Sequence, residues 1–371
     1  MKIVMIGQKG IPTLFGGIER HVEEVSCHLA QRKDSKNCPY EVFVYVRNYY
    51  TPKKIKEYKK VNIIHLPSLK TKHLDAISHV FLSSFHAIFK IKPDVIHYHG
   101  IGPALCIWIP KIFSPKTQII FTFHCRDYFH KKWGRFAQLS LKLGEIIGCY
   151  LADEIICVSN EIKDYILEKY KRETFFIPHG IKKEKPVSDE YIKKWGLEKN
   201  NYILAVSRLI RHKGLHYLIK AYQEIKTSKK LVIVGPSFYT SDYEDELKKM
   251  AKNNPNIIFL GAQQGKILKA LYNNAYVFVN PSEQEGLPLT VLEAASFGIP
   301  LLLSNINIHC LMLEDFPFFF ENKDIASLKK NLKFILDNPQ IAFNKGKETR
   351  SYAGKNYNWD KVVERMILRY N

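Results

Sequence analysis

PSEQEGLPLTVLEAASFGIP, residues 281–300, decides how the second half of this chain is read. The run before it, AYVFVNPS (275–282), is aromatic and β-branched and predicts a buried strand ending at Pro281. Gly286 and Pro288 then predict a short loop, with a helix starting near Leu289 and a further strand at PLLLS (300–304). Such a loop presents backbone N–H groups at a helix N-terminus, which favours an anion. Glu285 stands before the loop and Glu293 one to two turns into the helix. Two carboxylates across it suit hydrogen bonds to sugar hydroxyls beside a diphosphate. Two glutamates on a solvated helix face would share that spacing, so the surrounding sequence has to decide.

Outward from this unit, short β-branched runs alternate with helical patterns along the whole chain, the signature of parallel α/β architecture. Strands are expected at 2–7, 41–46, 62–66, 95–100, 118–124, 154–159 and 174–180, with helices at 17–32 and 134–151. A polar stretch at 181–201 interrupts the rhythm, and it restarts at 201–207, 229–235 and 257–261. The expected organisation is a domain at 1–180, a linker at 181–200, a second domain at 201–355 and a terminal helix at 356–371 returning to the first domain. Ligands of such sheets bind beyond the carboxyl ends of strands, so residues there carry the argument.

SRLIRHKG (207–214) follows a strand, and its Arg208 and Lys213 suit a diphosphate: a fork for phosphate oxygens and a point charge. GQKGIPTLFGGIERHVEE (7–24) places Gly7 and Gly10 after the first strand and Gly16-Gly17 before a helix, where a ligand approaches the backbone closely. GxGxxG is absent, and the strand at 41–46 ends in Arg47-Asn48 without an acid for a ribose, which argues against a dinucleotide.

Composition narrows the classes further. The chain has 371 residues, 46% hydrophobic and 25% charged, enough for two folded cores. Its net charge of +20 is spread evenly: residues 1–175 carry 27 Lys and Arg against 16 Asp and Glu, the remainder 29 against 20. A nucleic-acid binder concentrates such charge, so no nucleic-acid partner is expected; a lysine-rich surface and attraction to an anionic membrane or phosphorylated ligand stay open. Seven scattered cysteines without CxxC spacing point to reduced thiols and no cysteine-built metal site. No apolar run reaches 18 residues and MKIVMIG reads as a strand, so the expected location is the cytoplasm, with peripheral contact on the inner face of the cell membrane. HVFLSSFHAIFKIK (79–92), ALCIWIPKIFSPK (104–116) and FHKKWGRF (129–136) mix aromatics with lysines, as buried segments or as an interfacial surface.

These motifs together resemble a family 4 retaining glycosyltransferase with the GT-B fold, two Rossmann-like parallel-sheet domains facing a central cleft. EGLPLTVLE (285–293) carries the family's Glu-x7-Glu motif and RLIRHK (208–213) its Arg-x4-Lys motif. GIPTLFGGIERHVEE, DVIHYHGIGPAL (94–105), FHCRDYFHKKWGRF (123–136) and ADEIICVSNEIKDYI (152–166) resemble a bacterial subgroup described as rhamnosyltransferase-like and acting on surface polysaccharides. The resemblance implies transfer from a nucleotide diphosphate sugar to a saccharide or polyprenyl-linked saccharide, with retention and without metal or cofactor. It places Gly16 and Gly17 at the donor diphosphate and His124 near the transferred sugar or acceptor. Arg208 and Lys213 neutralise the leaving diphosphate, and Glu285 contacts donor-sugar hydroxyls amid the amides of Gly286, Leu287, Pro288 and Leu289, proline excepted as a donor. Glu293 binds the ribose, and Gly261, Ala262, Gln263 and Gln264 lie near the base. His97 and His99 read as core histidines. A nucleotide-sugar epimerase of the same fold is the rival, distinguished by needing no acceptor. The segment NINIHCLMLEDFPFFF (305–320) departs from the family pattern.

Overall fold

β-Branched and aromatic runs become strands, the central ones of each sheet almost wholly buried because helices cover both faces, the edge strands only partly so. A computed structural model describes the chain except residues 15, 35–36, 72–73, 127, 129–133, 183, 238–240 and 371. Phe15, Asp127 and most of the aromatic-basic run at 129–136 therefore lie outside the described residues. The chain divides into two compact units, Met1–Gly180 with Trp359–Asn371, and Ile181–Asn358.

The first unit contains β1 (Lys2–Ile6), α1 (Gly17–Leu29), β2 (Glu41–Arg47), β3 (Glu57–Tyr58), β4 (Val61–Leu66), α2 (Asp75–His86) with a π-helical turn at Ala87–Ile91, and β5 (Val95–His99). It continues through α3 (Ile101–Ala104), α4 (Trp108–Phe113), β6 (Gln118–Phe123), α5 (Arg135–Leu151), β7 (Glu154–Cys157), α6 (Asn160–Tyr170) and β8 (Phe175–Phe176). The strand order is β3-β4-β2-β1-β5-β6-β7-β8, parallel except for β3 against β4. The order reverses at β1, which lies between β2 and β5, so the loops after β1 and β5 meet at a topological switch point. Of the strand expected at 174–180, Phe175 and Phe176 pair with β7. The chain then turns away and carries the buried His179 towards His21.

The second unit contains β9 (Tyr202–Val206), α7 (Leu215–Gln223), β10 (Lys230–Val234), α8 (Ser241–Ala251), β11 (Ile257–Phe259), α9 (Gly265–Asn274), β12 (Val277–Asn280), α10 (Leu289–Phe297) and β13 (Leu301–Ser304). α11 (Asn307–Leu313), β14 (Phe318–Phe320), α12 (Ile325–Asp337) and α13 (Pro339–Asn356) complete it. Its all-parallel sheet runs β11-β10-β9-β12-β13-β14, with the switch point between β9 and β12. Residues 181–200, expected as a linker, are part of this unit. Ile192 and Leu197 are buried, Glu184 pairs with Lys269 at 2.6 Å, and the amides of Asn273 and Asn274 both donate to the Val187 carbonyl.

The final helix, α14 (Trp359–Ile367), starts three residues later than 356. Trp359, Val362, Val363 and Met366 recur at helical spacing and enter the first unit's core beside Ile3, Val22 and Val25. Gly180 lies flat against this helix, where an added Cβ would sit 2.4 Å from the Trp359 ring.

Candidate functional site

The switch point of the second unit explains how residues 72 positions apart meet. β9 and β12 are neighbours, so the turn after β9 and the loop after β12 leave the same edge together. Lys213 comes from the first, and its Nζ donates to Glu285 Oε1 of the second at 2.5 Å. Gly214 makes the approach possible: its φ is +67°, and a Cβ there would lie 1.9 Å from the Pro281 carbonyl oxygen. The Glu283 amide donates to the His212 carbonyl at 2.8 Å, stitching turn to loop.

Glu285 is 8% exposed and accepts a second hydrogen bond from Ser282 Oγ at 2.7 Å. Burial pushes its carboxyl up, but the Lys213 charge and the hydrogen bonds from Lys213 and Ser282 outweigh this and hold it down at about 2. The carboxylate is therefore ionised at any physiological pH. Ser282 is itself fixed, since its carbonyl accepts from Ser304 Oγ at 2.6 Å.

His309 on α11 is wholly buried and feels the charges of both Glu285 and Lys213. Its Nδ1 lies 2.9 Å from the Ser304 carbonyl, which accepts the Nδ1 proton and leaves Nε2 as an acceptor. Nε2 is buried without a hydrogen-bond partner among the described residues. Burial lowers this imidazole to about 4, so it is neutral. The sequence reading did not single out Ser282 or His309. Ser282 lies in the quoted loop, three residues from Glu285. His309 falls in the segment that departs from the family pattern, with no local signal.

α10 begins directly after Pro288, so its first amides have no intrahelical acceptor. Glu293, on its second turn, accepts from the buried Tyr272 hydroxyl at 3.2 Å. Gly261 and Ala262 are exposed after β11; Gln263 Nε2 donates to the Leu260 carbonyl, and Gln264 leads into α9. Arg208 is exposed, and its side chain is not part of the Lys213–Glu285 contact.

In the first unit, Gly16 has φ +107° and opens α1 with Gly17, while Glu19 Oε1 accepts from the Lys9 amide at 3.1 Å. His124 follows β6 and is buried. Its Nε2 lies 3.3 Å from His99 Nδ1, its ring stacks on His179 at 5.5 Å, and His21 meets it edge-on at 5.1 Å. His21 and His179 share a hydrogen between their Nδ1 atoms at 2.7 Å. His97 is satisfied by the Tyr370 hydroxyl and Thr122 Oγ1. Burial keeps the rings of His21, His97, His99 and His179 well below the usual histidine range. His99 thus belongs to a cluster around His124. One nitrogen from each of His21, His99 and His124 falls within 4.8 Å of the others, a donor set that could hold a metal ion.

Residues 15–185 match the family described as Glycosyltransferase Family 4, and residues 187–357 match Glycosyl transferases group 1. The UDP-Gal:alpha-D-GlcNAc-diphosphoundecaprenol alpha-1,3-galactosyltransferase of Escherichia coli is 27% identical over 77% of this chain and 77% of its own. The capsular polysaccharide biosynthesis glycosyltransferase CapM of Staphylococcus aureus is 25% identical over 64% of this chain and 66% of its own. Among solved structures, Anabaena HepE in complex with UDP and glucose superposes with a TM-score of 0.82 at 16% identity, covering 100% of this chain and 99% of that one.

Proposed function

The chain belongs to the glycosyltransferases, family 4 in its first half and group 1 in its second, and from that premise we propose a reaction for it. The sugar of a nucleotide diphosphate sugar passes to an acceptor hydroxyl with retention at the anomeric carbon and without a metal. Glycolipid and capsular relatives favour a polyprenyl-linked or polysaccharide acceptor in cell-surface synthesis. The observation that carries this reading is the partly buried Lys213–Glu285 pair beside the first turn of α10.

In this reading Glu285, ionised and fixed by Lys213 and Ser282, accepts hydrogen bonds from donor-sugar hydroxyls. His309 Nε2 offers a second acceptor beside it. The amides of Gly286, Leu287 and Leu289 and the side chains of Arg208 and Lys213 stabilise the leaving diphosphate as charge develops, the preorganised stabilisation that contributes most to such reactions. Lys213 serves both partners: its ammonium holds Glu285 in the resting enzyme and faces the phosphate in the reaction. Glu293 holds the ribose, and residues 261–264 flank the base. Within the first unit, Gly16 and Gly17 keep the donor-binding role, and His124 the role near the transferred sugar or acceptor, that the resemblance implies.

Donor screening by thermal shift, followed by transfer assays with wild type and Glu285→Gln, tests the reading. A stabilising donor whose sugar reaches an acceptor in wild type alone is the expected result. A variant as active as wild type would remove Glu285 from the mechanism. Chelator treatment tests the metal-free chemistry separately. Activity lost to chelator and restored by Zn²⁺ would overturn it and direct attention to His21, His99 and His124.

A further inference from the structure

α5 carries two apolar faces, and folding accounts for one. Gly144, Glu145, Gly148 and Cys149 face inward; a Cβ at Gly144 would meet the Ile101 carbonyl oxygen at 2.0 Å, and one at Gly148 would meet the Phe121 ring at 2.7 Å. On the outer side Phe136, Leu139, Leu143, Ile146 and Tyr150 recur at alternating spacings of three and four, the period of a helical stripe. They are 82%, 66%, 48%, 42% and 57% exposed. Neighbouring elements extend the patch. α4 contacts both α5 and α2 and exposes Ile112 and Phe113, while the α2 region exposes Phe81, Leu82 and Phe89. The Phe85 ring joins these elements, with its centroid 5.7 Å from Phe113 and 6.2 Å from Phe89.

Charge selects the occupant. Lys90, Lys92, Lys116, Arg135 and Lys142 lie within or at the ends of these segments, and Lys111 is paired with Asp153. Across residues 76–92, 104–116 and 134–151 one carboxylate occurs, Glu145, which is buried and bonded to Tyr165, Tyr170 and Lys169. A second copy of the same face would bring like charges together, whereas anionic headgroups neutralise the cations while the rings and leucines enter the acyl boundary. No helix among the described residues is long and apolar enough to cross a membrane, so the contact lies on the surface.

We propose that the outer face of α5, α4 and the end of α2 docks this protein onto an anionic lipid bilayer. α5 starts on the side where β6 ends, so docking through Phe136 and Leu139 brings the His124 end of the first unit towards the lipid. The proposal does not rest on the transfer chemistry, because binding is read without a donor.

Flotation of the full chain with phosphatidylcholine vesicles, with and without phosphatidylglycerol, tests it. The protein should float with anionic vesicles at low salt and be released by high salt. Phe136→Ser/Leu139→Ser/Leu143→Ser should keep the wild-type melting temperature and bind at least about 10-fold more weakly. Arg135→Glu/Lys142→Glu should lose about 25-fold or more on anionic vesicles. Failure of the wild type to float at low salt, or unchanged flotation of the triple variant, would overturn the proposal. Equal binding to neutral and anionic vesicles would overturn its electrostatic basis. Sedimentation equilibrium completes the test: a wild-type dimer that the triple variant dissolves would assign the face to a second copy instead.

Discussion

Acidifying the protein from about pH 7.5 to about pH 5.5 should unfold its first unit before its second, and the size of the effect follows from the histidine cluster. His21, His97, His99 and His179 are fully buried, and burial is the leading cause that lowers each from the ordinary value of 6.5, to about 3 for His97 and His179. A lowered folded value means that the unfolded chain takes up protons first. The stability contributed by these neutral rings is complete above 6.5 and is lost as the pH falls through 6.5 towards the folded values. About one pH unit below the unfolded value, His97 and His179, at about 3, and the equally buried His79, at about 4, together favour the unfolded chain by about 4 kcal/mol, and His21 and His99 act in the same direction. That approaches the whole stability of a typical domain, about 5–15 kcal/mol. In the second unit His309 is the fully buried counterpart, lowered to about 4, and its loss on the same scale is about 1.4 kcal/mol. Urea denaturation at the two pH values, followed by Trp359 fluorescence in a variant with the other three tryptophans replaced by phenylalanine, reads the first unit directly. Trp359 lies 5.8 Å from the His21 ring and 6.2 Å from the His28 ring. His179→Asn should reduce the pH effect by about a quarter. A first unit whose unfolding free energy changes by less than about 1 kcal/mol between the two conditions would refute the reasoning.

Three further outcomes follow from the second unit. Glu285→Gln leaves the partly buried Lys213 ammonium without its anion and should lower that unit's stability by about 2 kcal/mol in a denaturant titration. Gly214→Ala places a Cβ against the Pro281 carbonyl at a positive φ, so a loss of about 2 kcal/mol or more is expected by thermal melting, with transfer activity falling as Lys213 is displaced. Ser282→Ala removes one of the donors to Glu285 and keeps Lys213. Its carboxyl should titrate above the present value of about 2, with about 1 kcal/mol of stability lost, measured by pH-dependent melting.

The parallel sheets were legible because their strands are buried on both faces and read as β-branched runs of five to seven residues, as at KIVMI and YILAV. β14 escaped notice because three phenylalanines following an irregular turn have no distinguishing period. Gly286, Pro288 and the two glutamates marked the helix-start loop, since each residue type has its own reason to stand there. The meeting of Lys213 with Glu285 depends on β9 adjoining β12, which strand propensity does not encode. The histidine cluster was hidden for a related reason. His21 comes from α1 and His99 from the end of β5, while His124 and His179 follow β6 and β8, so no spacing along the chain announces it. Residues 181–200 looked like a linker because their composition is polar, while their docking rests on two apolar side chains, one ion pair and a shared carbonyl.

The return of α14 to the first unit has a consequence for the order in which the protein is made. Residues 181–358 are contiguous in the chain, so a ribosome delivers the whole second unit as one uninterrupted piece. The first unit is begun before the second, yet its hydrophobic interior waits for Trp359, Val362, Val363 and Met366, which are translated only after the whole second unit. Until then α1 and the strands beneath it leave an open apolar seam in the nascent polypeptide, a natural landing place for chaperones. A stop codon just before residue 359 would therefore damage the unit whose synthesis began before the other's.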